Sequence, residues 1–301
     1  MSKNNTALFT TVYPEGTIYL RDWYLSVVSQ NTENFDIWVG CDRISPDFAQ
    51  DAMGSHLNAT WIIRRDDESP AQFRERTVRQ MIDEYSYIIF VDSDDILNPT
   101  RVLSAQKALA HHDVYGCAMQ IIDESGMNTP IIFSAPVSVS FQELLLTNNI
   151  FGLSNTAYCS DILKKCLPFP KDVILLDWFI ATRAMINDAD LYFDKEINMK
   201  YRQHSLNTAR VVPPFTKEQI IKATELVIQH YELLLTNIPE IGSIIKRNII
   251  RERENVKLFY DCIRQSEEIF SEYIQKLNEM PSEHIWWSCV AHKELEQLWK
   301  K

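Results

Sequence analysis

The chain has 301 residues, with 30 Lys and Arg against 41 Asp and Glu for a formal charge of −11, and 46% of it is apolar. That is the balance of a globular chain long enough for a large core, and its 7 Gly and 12 Pro leave no polar tract that would resist packing. The acidic surplus excludes a general nucleic-acid coat.

From Ala7 to about Ile122, short β-rich runs alternate with helix-length amphipathic segments. ALFTTVY is followed by a helix near Ile18 to Ser29, FDIWVG by one near Pro46 to Met53, and TWIIR by one from about Pro70 to Glu84 that leads into YIIFV. Strands separated by helices of this length predict βαβ crossovers and a mostly parallel, buried sheet. After the DSDD run Pro99 opens another helix, and VYGCAMQIID with TPIIFS reads as two strands joined by a turn. Helices are predicted at Ser140 to Thr147, Asp161 to Cys166 and Ile174 to Asn187, with short strands at NTAYC, LYFD and MKYRQ.

From Pro214 the texture becomes all-helical, with Thr216 and Gln219 spaced as a capping box and helical periodicity over Lys217–Thr236, Ile241–Gln265 and Glu283–Trp299. The expected organisation is an α/β domain over 1–212, with a nucleotide-binding half to about 95 and an acceptor half to about 212, followed by a helical extension over 213–301. The amino terminus lacks the charged and apolar regions of a secretory signal, and no run nears 18 uninterrupted apolar residues. Six scattered cysteines without any CxxC point to reduced thiols in a cytoplasm rather than to a disulfide frame or a zinc site.

The strongest chemical signal is YIIFVDSDD, an apolar strand that ends in Asp92, Asp94 and Asp95. Like charges this close repel and are costly to desolvate, so a fold that gathers them at a strand end commonly brings a cation there. Hard oxygen ligands favour Mg²⁺ or Mn²⁺, which keep waters and bridge to phosphates. The alternatives are a solvated loop or the aspartyl nucleophile of haloacid-dehalogenase-type phosphatases. That nucleophile normally sits on a first strand and wants Thr or Val two positions after the second Asp, where this chain has Ile96.

Upstream, Arg64, Arg65, Arg74, Arg76 and Arg79 offer guanidinium groups suited to phosphate oxygens or to a solvated helix face. In LLDWFIATR a single carboxylate, Asp177, enters an apolar helical run, as a general base or as a residue favoured by the helix dipole. In YRQHSLN, His204 stands alone at a strand end, where a hydrogen-bonded structural role competes with a functional one.

In their order and spacing these pieces resemble the inverting family 2 glycosyltransferases of the GT-A fold, over about residues 6 to 210. The resemblance is carried by TTVYP, SVVSQ, Arg76 sixteen residues before Asp92, YIIFVDSDD, LDWFIATRA and YRQHSLN. It implies a nucleotide-sugar donor, UDP-linked by preference, and a glycan or lipid-linked acceptor in cell-surface polysaccharide synthesis. Thr11 and Tyr13 would sit by the base with Asp42 as its acidic partner, Arg76 and Asp92 would approach the donor, and Gly152 would lie in the loop facing donor sugar and acceptor. Asp94, Asp92 and His204 would hold Mn²⁺ or Mg²⁺, and Asp177 would be the base.

The chain departs from the family where WVGCDRIS replaces the usual VVDDGS, where ERTVR replaces ARNxG, and where Leu176 replaces the Glu before Asp177. A catalytically inactive GT-A-like scaffold is the alternative from another class. For the carboxyl-terminal helices the alternatives are a packed cap, a homodimer contact, or peripheral membrane contact through Trp286, Trp287 and Trp299.

Overall fold

The computed structural model describes residues 5–137, 139–238, 241–281 and 284–300. They form two compact units, one of Met1–Ser134, Phe151–Asp172 and Arg183–His204, the other of Ala135–Ile150, Val173–Thr182 and Ser205–Lys301. The predicted boundary near 212 therefore falls inside the second unit, which also takes two segments from mid-chain.

The first unit is built on a nine-stranded sheet in the order β3-β2-β1-β4-β8-β6-β9-β5, with β7 also paired to β6. Its first block is β1 (Thr6–Val12), β2 (Asp36–Cys41), β3 (Thr60–Ile63) and β4 (Tyr87–Phe90), all parallel. Strands buried on both faces must be apolar at consecutive positions, and β1 is buried at every residue but Thr11. Helices α1 (Leu20–Val28), α2 (Pro46–Met53) and α3 (Pro70–Ile82) make the crossovers. Two of them start where local chemistry dictates. Ser45 caps α2, and Ser69 with Gln72 closes a capping box ahead of Pro70 on α3, which satisfies backbone N–H groups that have no partner within the helix.

The other half of the sheet comprises β5 (Ile96–Leu97), β6 (Val114–Ile122), β7 (Asn128–Phe133), β8 (Thr156–Cys159) and β9 (Leu191–Arg202), with α4 (Arg101–Leu109) and α6 (Ser160–Lys165) alongside. The long ladder here, β6 with β9, is parallel, whereas β4–β8, β6–β8, β6–β7 and β5–β9 are short antiparallel pairings. The two short strands expected at LYFD and MKYRQ are one strand of twelve residues, β9, continuous because register shifts opposite Cys117 and Ala118 absorb the extra length.

The second unit contains α5 (Phe141–Leu144), the first turns of α7 (Leu176–Ile186), and α8 (Lys217–Asn237), α9 (Ser243–Gln265), α10 (Glu267–Glu279) and α11 (Glu296–Trp299). α8 begins at the predicted Thr216–Gln219 capping box. The sequence reading did not assign α10. It starts where Ser266, in extended backbone, ends α9 and accepts a hydrogen bond from Ile269 N–H.

The helix expected over Glu283–Trp299 is not formed in its described part: Trp287 (φ 70°) and Ala291 (φ 47°) take left-handed backbone, leaving a 3-10 turn and the four-residue α11. Glu283 itself lies outside the described residues. Among the described residues no helix is long and apolar enough to cross a membrane.

Candidate functional site

In an open α/β sheet the carboxyl ends of parallel strands leave backbone and side chains free for a ligand. In the first unit the ends of β1, β4 and β9 converge on Tyr13, Asp92–Asp95 and His204. Asp94 Oδ2 lies 2.8 Å from His204 Nε2 and 3.5 Å from the Tyr13 hydroxyl, which donates to it. Asp94 is 8% exposed, and the His204 side chain is buried against the Tyr19 ring at 5.1 Å between centroids. Ser93 Oγ donates to the Thr11 carbonyl at 2.9 Å, which ties the acidic turn to the end of β1. Gly16 lets the Tyr13 ring fold over it, since a Cβ there would meet the ring at 3.0 Å. Burial and then the charges of Asp94, Asp92 and Asp95 hold the Tyr13 hydroxyl protonated far above its ordinary range.

The three carboxyl groups are not equivalent. Asp95 is fully buried, accepts the Arg202 N–H at 2.7 Å and pairs with Ser154 Oγ. Burial first, then the Asp94 and Asp92 charges, push its carboxyl well above the carboxylate range. Asp95 is thus an internal fastener, joining the acidic turn to the loop that contains Gly152. That loop is closed on itself, with Gly152 N–H donating to Asn155 Oδ1 at 2.9 Å and Thr156 Oγ1 donating to the Gly152 carbonyl at 2.8 Å.

Asp94 Oδ2 and His204 Nε2 are one carboxylate and one imidazole donor within reach of a single ion. Among the described residues no group of three or more His, Cys, Asp or Glu is arranged to hold a metal. Two protein donors fit a cation that takes its remaining ligands from phosphates and water, as Mg²⁺ and Mn²⁺ do, and the imidazole favours the softer Mn²⁺.

Two other predicted residues lie on the same unit in different settings. Asp42, at the end of β2, extends the β1–β2 ladder by donating its N–H to the Val12 carbonyl at 2.9 Å, and its carboxylate pairs with Arg64 Nε at 2.9 Å. Arg76 on α3 is committed to Glu68, with Nε–Oε1 at 2.5 Å and Nη2–Oε2 at 2.8 Å, and it donates to the Ile63 carbonyl. That hydrogen bonding holds the Glu68 carboxyl below its usual range. Arg76 therefore braces the 63–68 loop.

Asp177 belongs to the second unit, in the first turn of α7. It is half-buried, and the fully buried Asn149 donates Nδ2 to its Oδ2 at 3.0 Å. Trp178 beside it is fully buried, donates Nε1 to the Leu145 carbonyl at 2.9 Å and lies parallel to the rings of His230 (4.1 Å between centroids) and Trp287 (6.4 Å). The backbone that carries Asp177 is therefore held from several sides.

Sequence reasoning did not single out Arg202, Tyr19, Ser154 or Asn149. Arg202 lies in the YRQHSLN run, where no spacing rule assigns it a role, and nothing in the sequence near Tyr19 announces its contacts.

No protein-family model matches the sequence, and no curated protein matches it. Solved structures do resemble it. Residues 1–349 of S. aureus TarS in complex with UDP-GlcNAc superpose with a TM-score of 0.60 at 15% identity, over 98% of this chain and 81% of that one. The fold is that of the GT-A glycosyltransferases. TarS 1–349 in a further crystal structure gives 0.59 at 16%, over 97% and 82% of the chains. The mannosyltransferase PcManGT from Pyrobaculum calidifontis, in complex with GDP-Man and Mn²⁺, gives 0.55 at 13%, over 83% and 69%. At these identities the likeness extends to the fold alone.

Proposed function

We propose that this chain is a glycosyltransferase of the inverting family 2 type, moving a sugar from a nucleotide-sugar donor, UDP-linked by preference, to a hydroxyl of a glycan or lipid-linked acceptor. The observation that carries the reading is the Asp94–His204 pair at a strand end where a GT-A sheet presents its ligand face. The complexes of TarS with UDP-GlcNAc and of PcManGT with GDP-Man and Mn²⁺ support the donor class.

On this reading Asp94 and His204 would hold Mn²⁺ or Mg²⁺, and Asp92 would approach the ribose or the metal. Thr11, Tyr13 and Asp42 line the base, while Arg76 and the Gly152 loop support the donor from their own elements. The bound cation supplies positive charge that stabilises the diphosphate as the anomeric bond breaks. Asp177 takes the proton of the attacking hydroxyl, and in-line attack inverts the anomeric centre. Asn149 orients that carboxylate through its amide.

The test is a thermal-shift screen of UDP-, GDP- and dTDP-sugars with and without Mn²⁺ or Mg²⁺, repeated on Asp94→Ala. Ligands that bind only the folded chain raise its melting temperature by mass action. Stabilisation by one nucleotide class, dependent on metal and lost in Asp94→Ala, is the expected result. No shift with any donor at millimolar concentration would sink the proposal and favour the inactive scaffold.

A further inference from the structure

Arg202 is 1% exposed and every part of it is engaged. Its backbone N–H donates to Asp95 Oδ1 (2.7 Å), Nε to the Asp94 carbonyl (2.8 Å), Nη1 to the Glu124 carbonyl (3.0 Å) and Nη2 to Asp22 Oδ2 (2.8 Å). Its guanidinium lies over the Tyr19 ring at 4.7 Å, and that same ring packs against His204. The Tyr19 hydroxyl donates to Glu124 Oε1 at 3.3 Å, which closes the circuit. Even the β6–β7 turn is shaped around this side chain. Gly126, at φ 89°, has its missing Cβ only 3.2 Å from Nη1, so any larger residue would be strained and would press on the guanidinium.

Moving a guanidinium out of water is costly, and the cost is offset only by good geometry to several acceptors. The contacts of this one fall on both members of the Asp94–His204 pair, one through the main chain and the other through the Tyr19 ring. We propose that Arg202 is a positioning residue for that pair, anchored on Asp22 of α1, and that it sets the affinity of the site for a divalent cation with a nucleoside diphosphate. This rests on the donor-site reading above. Outer partners that orient ligands commonly change metal affinity by about 10- to 100-fold when removed.

Titration calorimetry of the full chain with Mn²⁺, alone and with UDP, GDP or dTDP, tests the proposal on wild type, Arg202→Lys, Asp22→Asn and Asp22→Glu. Arg202→Lys and Asp22→Asn are expected to bind Mn²⁺ with the nucleotide about 10-fold more weakly, while Asp22→Glu, which keeps the anchoring charge, recovers most of the loss. Folded variants with wild-type affinity would overturn the proposal, as would a lowered melting temperature with unchanged affinity, since a purely structural role predicts that pattern. If Arg202→Lys does not fold, Asp22→Asn decides alone, because the Asp22 side chain is half-exposed (50%) and its loss leaves no buried cavity. A wild-type chain that binds Mn²⁺ with none of the nucleotides overturns the donor-site reading together with this one. That failure is told apart because it precedes any substitution.

Discussion

The two units keep titratable groups out of water by opposite means. At the acidic turn of the first unit, Asp95 and Arg202 are buried and densely hydrogen-bonded, so polarity is retained by giving these groups partners. In the second unit His230 is 1% exposed, lies flat on Trp178 and has no hydrogen-bond partner at either ring nitrogen among the described residues. Burial alone pushes its pKa down to about 3. Polarity there is retained by giving up charge. The first arrangement specifies geometry and suits a ligand site, whereas the second gives a stack that tolerates one protonation state only.

The largest effect separates the units by function. Asp177→Asn is expected to lower turnover by about 10²- to 10⁴-fold, the usual contribution of a general base, while nucleotide binding measured by thermal shift stays intact. Near-normal turnover in that variant would remove Asp177 from its proposed role. Next, Asp95→Ala strips acceptors from the Arg202 N–H and the Ser154 hydroxyl, and breaking a buried network of this kind costs about 3 kcal/mol or more in urea unfolding. A loss below about 1 kcal/mol would show that the network is not taut.

The His230 stack gives a pH test with a definite sign. The unfolded chain takes up a proton near the ordinary value of 6.5 and the folded chain only near 3, so the contribution to stability is complete above 6.5 and is lost as pH falls toward 3. Between pH 7 and 4.5 this amounts to about 2–3 kcal/mol. His230→Phe should keep the stack and lack that part of the acid loss, as read from unfolding curves at the two pH values. Equal acid sensitivity in both proteins would refute it. The smallest effect is local: Ser69→Ala removes the cap of α3 and should cost about 1 kcal/mol without changing ligand affinity.

Features written in local chemistry were legible in the sequence. Amphipathic runs opening at Pro46 and Pro70 place α2 and α3 to within about two residues, the Thr216–Gln219 capping box marks the start of α8, and the apolar run of β4 ending in carboxylates marks the candidate site. What failed depended on distant packing. The apolar spacing after Glu283 has helical period, yet Trp287 and Ala291 adopt left-handed backbone, a choice that local propensity does not record. The helical spacing of Ile269, Phe270, Tyr273 and Leu277 is the local signal of α10. The roles of Arg202 and Tyr19 arise from partners up to 180 residues away, and no spacing rule encodes these.

The register shifts in β9 carry a consequence for how the chain tolerates change. Asp194, Ile197 and Met199 stand opposite the consecutive residues Cys117, Ala118 and Met119, after which Met199–Arg202 run in step with Met119–Ile122. The strand thus has two phases separated by the exposed pair Lys195 and Glu196. A residue gained between Lys195 and Glu196, which are exposed and have no partner on β6, can be taken up there, and the closing phase keeps its alignment. The same change between Lys200 and Gln203 has nowhere to go. It would exchange the two faces of the strand end, turning Arg202 away from Asp94 and carrying His204 off its ring. Length tolerance in this protein should therefore change abruptly within a few residues of one strand.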